Sequence, residues 1–220
     1  MEFFSVGHNT FDTQGFPWAD SILSGLEEGP PCGRCGVPLL GLTGDVEVSL
    51  RPRKGTAWPD VLGCGDYPLF IVSGRVLKAW REEGIGRPPH HRVFVVGDLP
   101  RGLRGTSPPD YYWLDGARVL GARMDFGASG FVGVRFCGAC GNRTDNVAAT
   151  YGRRREGRPY VFVPGSWNGA RLFTTDLSPA KFFCTDELIA CARKHGLTNF
   201  RFVPVAEGDA VENKGLKYLA

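Results

Sequence analysis

Four of the seven cysteines stand in two copies of one pattern, Pro31-Cys32-Gly-Arg-Cys35-Gly36 and Phe136-Cys137-Gly-Ala-Cys140-Gly141. Two intervening residues let both thiolates of a pair turn toward one point. A glycine after the second cysteine lets backbone amides approach the sulfurs. Each pair alone is half a site, because Zn²⁺ favours four ligands in a tetrahedron. Together the pairs supply a closed ligand set with no open position for water, which is the chemistry of a structural rather than a catalytic metal. One zinc ion held by Cys32, Cys35, Cys137 and Cys140 is therefore expected. The separation is unusual, since 101 residues (36–136) lie between the pairs, far more than in an ordinary zinc ribbon. Closing such a loop costs about 4 kcal/mol by the logarithmic rule. Zinc binding supplies roughly 10 kcal/mol or more. The metal should then pin two distant parts of the chain, and its loss should loosen how they dock.

Three other readings compete. Cys32-Gly-Arg-Cys35 superficially fits a thioredoxin-like redox pair, but two near-identical pairs are better explained by a shared metal. The Pro-Cys-x-x-Cys of zinc deaminases matches Pro31 to Cys35, yet those enzymes need an upstream His-x-Glu. The only upstream histidine, His8, is followed by Asn9 and Thr10. Unligated core cysteines are the third reading. Cys64 falls in a Gly63-Cys64-Gly65 loop, and Cys184 and Cys191 read as buried thiols. His90 and His91 read as a surface loop, and His195 as a charge placed near a helix end. There is no phosphate loop, nucleophile elbow or paired-carboxylate spacing, so no enzymatic activity is expected.

The elements that must position these residues repeat. Phe70-Ile-Val-Ser73 runs into Gly74-Arg-Val-Leu-Lys-Ala-Trp80-Arg-Glu-Glu-Gly84, and Phe182-Phe-Cys-Thr185 into Asp186-Glu-Leu-Ile-Ala-Cys-Ala192-Arg-Lys-His-Gly196. A shift of 112 superposes Ser73 on Thr185, Val76-Leu77 on Leu188-Ile189, Arg81 on Arg193 and Gly84 on Gly196. Each segment reads as a strand, a Ser or Thr N-cap, three helical turns and a glycine stop. Further strands are expected at 45–50, 92–96, 130–136, 160–163 and 200–205, with loops at 84–89 and 101–110. The fold class is α+β, strand-rich with few short helices. A single domain, 1–220, of two similar halves (1–125 and 126–220) clasped by the zinc site is expected, the similarity reading either as a duplication or as the chance recurrence of a common strand–cap–helix–glycine unit.

Composition agrees with an ordinary soluble chain, at 42% hydrophobic and 22% charged residues, with 31 Gly and 16 Pro raising the share of turns. A net charge of +3 is too near neutral to argue for nucleic acid. No apolar run approaches the length of a membrane span. Met1-Glu2-Phe3-Phe4-Ser5 lacks the charged start and apolar stretch of a signal peptide, and an odd cysteine count argues against a disulfide framework. A cytoplasmic location follows as the expectation.

With its two Cys-x-x-Cys-Gly motifs, its Arg171-Leu-Phe173, its Phe182-Phe-Cys-Thr-Asp-Glu-Leu188 and its Gly196-Leu-Thr-Asn-Phe-Arg-Phe202 ending, the chain resembles the double-CXXCG immunity proteins of myxobacteria, which accompany toxins of contact-dependent killing. The approach to the first motif, Glu28-Gly29-Pro30-Pro31, departs from that family's Leu-Pro-Gly. The resemblance implies an immunity protein that neutralises a cognate toxin protein by tight binding. Such a surface would use aromatic and arginine anchors. Candidates are Trp58, Tyr111, Tyr112, Trp113 and the basic run Arg153, Arg154, Arg155 and Arg158. The alternative is a zinc-ribbon adaptor for nucleic acid or a regulatory complex.

Overall fold

In Val46–Leu50 the side chains of Val46, Val48 and Leu50 are buried while Glu47 and Ser49 are not. This period-two alternation marks a strand with one face on a core. A computed structural model of the chain describes residues 1–8, 15–38, 42–51, 55–64, 69–145, 154 and 158–211. Its strands are β1 (Phe3–His8), β2 (Trp18–Ser24), β3 (Glu27–Glu28), β4 (Leu42–Thr43), β5 (Val46–Leu50), β6 (Val61–Cys64), β7 (Ile71–Ser73), β8 (His90–Val96), β9 (Tyr111–Leu114), β10 (Leu120–Ala122), β11 (Leu172–Thr175), β12 (Ser178–Thr185) and β13 (Phe200–Pro204). Two α-helices, α1 (Gly74–Glu82) and α2 (Asp186–Lys194), are found among the described residues. The chain is strand-rich, as expected from its sequence.

Six strands close into a barrel in the order β2-β5-β8-β9-β7-β6, with β6 pairing β2 in parallel. Its interior is lined by Ala19, Val46, Val48, Leu62, Ile71, Val93, Tyr111 and Trp113. A second, five-stranded sheet has the order β10-β11-β12-β1-β13. One of its faces is aromatic, with Phe173, Phe183, Phe131 and Tyr160 buried together. Both helices lie in a third cluster that joins the sheets. Val76, Leu77 and Trp80 of α1 and Leu188, Ile189 and Ala192 of α2 meet Phe70, Val72, Phe182, Cys184 and Phe200 there. This is the stripe at helical spacing that the sequence presents.

Several expectations are corrected. Ser73 and Thr185 hold the N-cap positions in extended conformation, but neither side chain caps. Each hydroxyl has a carboxylate in reach instead, Ser73 Oγ donating to Asp60 Oδ1 and Thr185 Oγ1 to Glu187 Oε2. His90 and His91 open β8 rather than lying in a loop. Their rings pack on Tyr112 and Trp113. Cys64 ends β6 and is buried. The 130–136 and 160–163 stretches make only isolated bridges, Phe136 to Arg143 and Phe162 to Met124. No helix among the described residues is long and apolar enough to cross a membrane.

Candidate metal centre

The first Cys-x-x-Cys-Gly loop is carried between β3 and β4, which pair Glu27 with Thr43 and Glu28 with Leu42. A bridge from Pro31 to Pro38 tightens it. The second loop is closed by the bridge from Phe136 to Arg143. Both fold into the same knuckle. Cys32 N donates to Val37 O at 2.9 Å and Gly36 N to Cys32 O at 2.8 Å. Cys137 N donates to Asn142 O and Gly141 N to Cys137 O, both at 2.8 Å. The glycines that follow the second cysteines have φ of 72° and 73°. That left-handed conformation is where glycine carries no steric cost.

The second knuckle is anchored by a buried ion pair. Arg143 reaches Asp145 through Nε at 2.8 Å and Nη2 at 2.6 Å, and donates from Nη1 to Leu177 O. The knuckles touch each other directly, with Asn142 Nδ2 donating to Pro38 O at 3.2 Å.

The Sγ atoms of Cys32, Cys35, Cys137 and Cys140 all lie within 4.8 Å of one another. Cys35 Sγ and Cys140 Sγ are 3.7 Å apart. A tetrahedron with metal–sulfur bonds of about 2.3 Å has an edge of about 3.8 Å. The four sulfurs are therefore close enough to hold one metal ion. Backbone amides also aim at them, as Ala139 N does at Cys137 Sγ (3.4 Å).

The protonation of the cluster points the same way. The amides of Arg34 and Cys35 hold the Cys32 thiol below its usual range, and those of Ala139 and Cys140 hold Cys137 down at about 6. The Val37 amide works to lower Cys35, but burial and the neighbouring sulfurs outweigh it and push that thiol up to about 12. Cys140 is likewise raised, against the Asn142 amide, by burial and by Cys32 and Cys137. Four crowded thiols cannot all ionise without a counter-charge. A bound cation supplies one, and metal binding at such a site releases protons.

The other cysteines lie away from this cluster. None of the seven is in a disulfide. Burial raises Cys184 well above its usual range and also raises Cys191.

The expected contact residues divide. Tyr111 and Trp113 lie on β9 inside the barrel, 1% and 3% exposed, and are core rather than loop anchors. Their polar ends are satisfied internally, Tyr111 Oη by Pro59 O and Trp113 Nε1 by Gly44 O. Tyr112 is half-buried on the opposite face of β9. Trp58 is half-buried against Tyr111, and its Nε1 donates to Thr106 Oγ1. The Arg154 guanidinium covers the Tyr160 ring at 4.1 Å and Phe131 at 5.0 Å, sealing the aromatic cluster. Arg158 is exposed, and Arg153 and Arg155 lie outside the described residues.

Sequence reasoning missed a buried hub at Asp60. Its carboxylate accepts from Ser73 Oγ (2.8 Å), Arg75 Nη1 (2.8 Å), Thr198 N (2.9 Å) and Thr198 Oγ1 (3.2 Å). The hub ties β6 and α1 to the turn before β13. An acid ahead of a strand carries no one-dimensional mark of partners 138 residues away. No family model matches this chain, and no curated protein matches it.

Proposed function

We propose that this chain is an immunity protein that binds and neutralises a cognate toxin, and that zinc in the four-cysteine site clasps its two similar halves. The observation that carries the reading is the convergence of the two Cys-x-x-Cys-Gly knuckles on one site, because those paired motifs are the basis of the resemblance to the double-CXXCG immunity proteins. Zinc is the metal of choice because it takes four thiolates in a tetrahedron without redox change. With all four positions filled by protein the ion holds structure and performs no reaction, so the chain acts by binding. Seven cysteines without a disulfide suit a reducing compartment, and the cytoplasm is the proposed location. Trp58, Tyr112 and the basic run Arg153, Arg154, Arg155 and Arg158 remain the proposed contact residues.

The test is to read the neighbouring genes for a toxin domain and to co-express this chain with the toxin found there, an absence of any toxin gene beside it counting against the proposal. Survival of cells carrying both, with a stable complex recovered at equal stoichiometry, is the expected result. Undiminished killing, or binding to nucleic acid that weakens steeply with salt, would contradict it.

A further inference from the structure

We infer that the chain is two copies of one unit related by an approximate two-fold axis through the metal site, and that the N-terminal strand is the last strand of the second copy.

Strand order is the first observation. In the barrel, β2-β6-β7-β9-β8 are joined by one parallel and then three antiparallel pairings. In the open sheet, β10-β11-β12-β1-β13 are joined in the same sequence of directions. The position of β5, which closes the barrel, is taken in the second copy by 160–163. Tyr160 N donates to Val205 O just past β13, and Phe162 bridges Met124 just past β10.

Register is the second. Ser73 faces Tyr111 and Val72 faces Tyr112, while Thr185 faces Phe3 and Cys184 faces Phe4. On the next ladder His90 faces Leu114 and His91 faces Trp113, while Phe202 faces Val6 and Val203 faces Ser5. An offset of 112 carries Ile71–Ser73 and α1 onto the end of β12 and α2, and the start of β8 (His90-His-Arg92) onto Phe202-Val-Pro204. A separate offset, −108, places Tyr111-Tyr-Trp-Leu114 on Phe3-Phe-Ser-Val6. The helix stops coincide too. Ile85 N donates to Trp80 O and Leu197 N to Ala192 O, after glycines at φ 67° and 56°.

A strand–helix–glycine unit recurs easily by chance. Chance does not make equivalent residues touch. In a two-fold arrangement only residues beside the axis meet their own counterparts, and three such pairs are found among the described residues, two matched by the offset of 112 and the cysteines by their place in the Cys-x-x-Cys-Gly motif. Phe70 and Phe182 rings are 5.1 Å apart, His195 Nε2 lies 2.8 Å from Glu83 Oε1, and Cys35 Sγ lies 3.7 Å from Cys140 Sγ.

The helix ends are exchanged in the same sense. Asp60 pairs with Arg75 at 2.8 Å, and Arg171 with Glu187 at 2.6 Å. Val61 pairs with Val72 as Leu172 does with Cys184, so Asp60 matches Arg171 at an offset of 111 and Arg75 matches Glu187 at 112, with acid and base interchanged. Each arginine donates to the last carbonyls of the other copy's helix, Arg75 to His195 O and to Gly196 O at 3.3 Å, Arg171 to Glu83 O at 3.2 Å and Gly84 O at 2.7 Å. A cation at a helix C-terminus is favourable in both places. On this basis the boundary between copies falls between β9 and β10, at 115–119, and β1 crosses from the second copy to the chain start.

Two variants test this independently of what the chain binds. In the first, residues 1–8 are moved behind residue 220, which makes each copy contiguous, and this chain is compared with 9–220 alone. The relocated chain is expected to melt within about 5 °C of the parent with the same metal stoichiometry, and the truncated chain well below it. A relocated chain no more stable than 9–220, or a truncation as stable as the parent, overturns the inference. In the second, Arg171→Asp and Glu187→Arg are combined to give the charge layout of Asp60 and Arg75. The double variant is expected to regain most of the melting temperature lost by each single variant. A double variant no more stable than the weaker single also overturns the inference.

Discussion

Asp60→Ala should be among the most damaging single changes in the protein. The carboxylate is buried, its side chain 7% exposed, and four donors converge on it. Removing one partner of a buried charged network typically costs 3–5 kcal/mol. Here Arg75, 55% exposed, can turn to water and recover part of that. Ser73 Oγ and the Thr198 amide cannot, and each stranded donor costs about 1–3 kcal/mol. A loss of about 3 kcal/mol follows, or about 6–12 °C in melting temperature for a chain of this length. Asp60→Asn, which keeps one acceptor oxygen, should lose about half as much. The exposed pair Arg92–Asp110, 55% and 69% exposed, is the control, and Arg92→Ala should cost under about 1 kcal/mol. Thermal and urea unfolding of the three variants provides the assay. An Asp60→Ala protein melting no lower than Arg92→Ala would refute the hub.

Gly116→Ala should destabilise strongly, because an added Cβ would sit 1.8 Å from the Pro179 carbonyl oxygen. Overpacking against backbone costs about 1–3 kcal/mol, whereas Gly7→Ala, with nothing within 4 Å, should be nearly neutral; equal melting temperatures would contradict this. Burial and then the Arg201 charge lower the His8 pKa from 6.5 to about 4. Between those values the unfolded chain binds more protons than the folded one, so stability is fully present above pH 6.5 and is lost as pH falls through 4, by up to about 3 kcal/mol. His8→Gln should flatten the stability profile in that window, and an unchanged slope would show that His8 titrates normally.

The parts of the fold that the sequence makes legible are those governed by local physics. Val46, Val48 and Leu50 alternate, the apolar stripes of α1 and α2 have helical spacing, and the cysteine spacing by itself specifies knuckles. The parts it hides depend on what lies across the fold. Tyr111-Tyr-Trp-Leu114 follows a Pro/Gly-rich loop and reads as surface, yet β7 and β8 flank it and draw alternate rings inside. The segment 160–163 looks like a strand by composition but holds a single bridge. Asp60 looks like any surface acid until Thr198 is folded against it.

The measurement that bears most directly on the account is metal content by mass spectrometry of the intact native chain, beside Cys137→Ser. One zinc ion per parent chain, and none in Cys137→Ser, is the expected result. A variant that keeps one zinc per chain, or a metal-free parent whose Cys32, Cys35, Cys137 and Cys140 all react freely with a thiol reagent in the native state, would contradict the four-thiolate site.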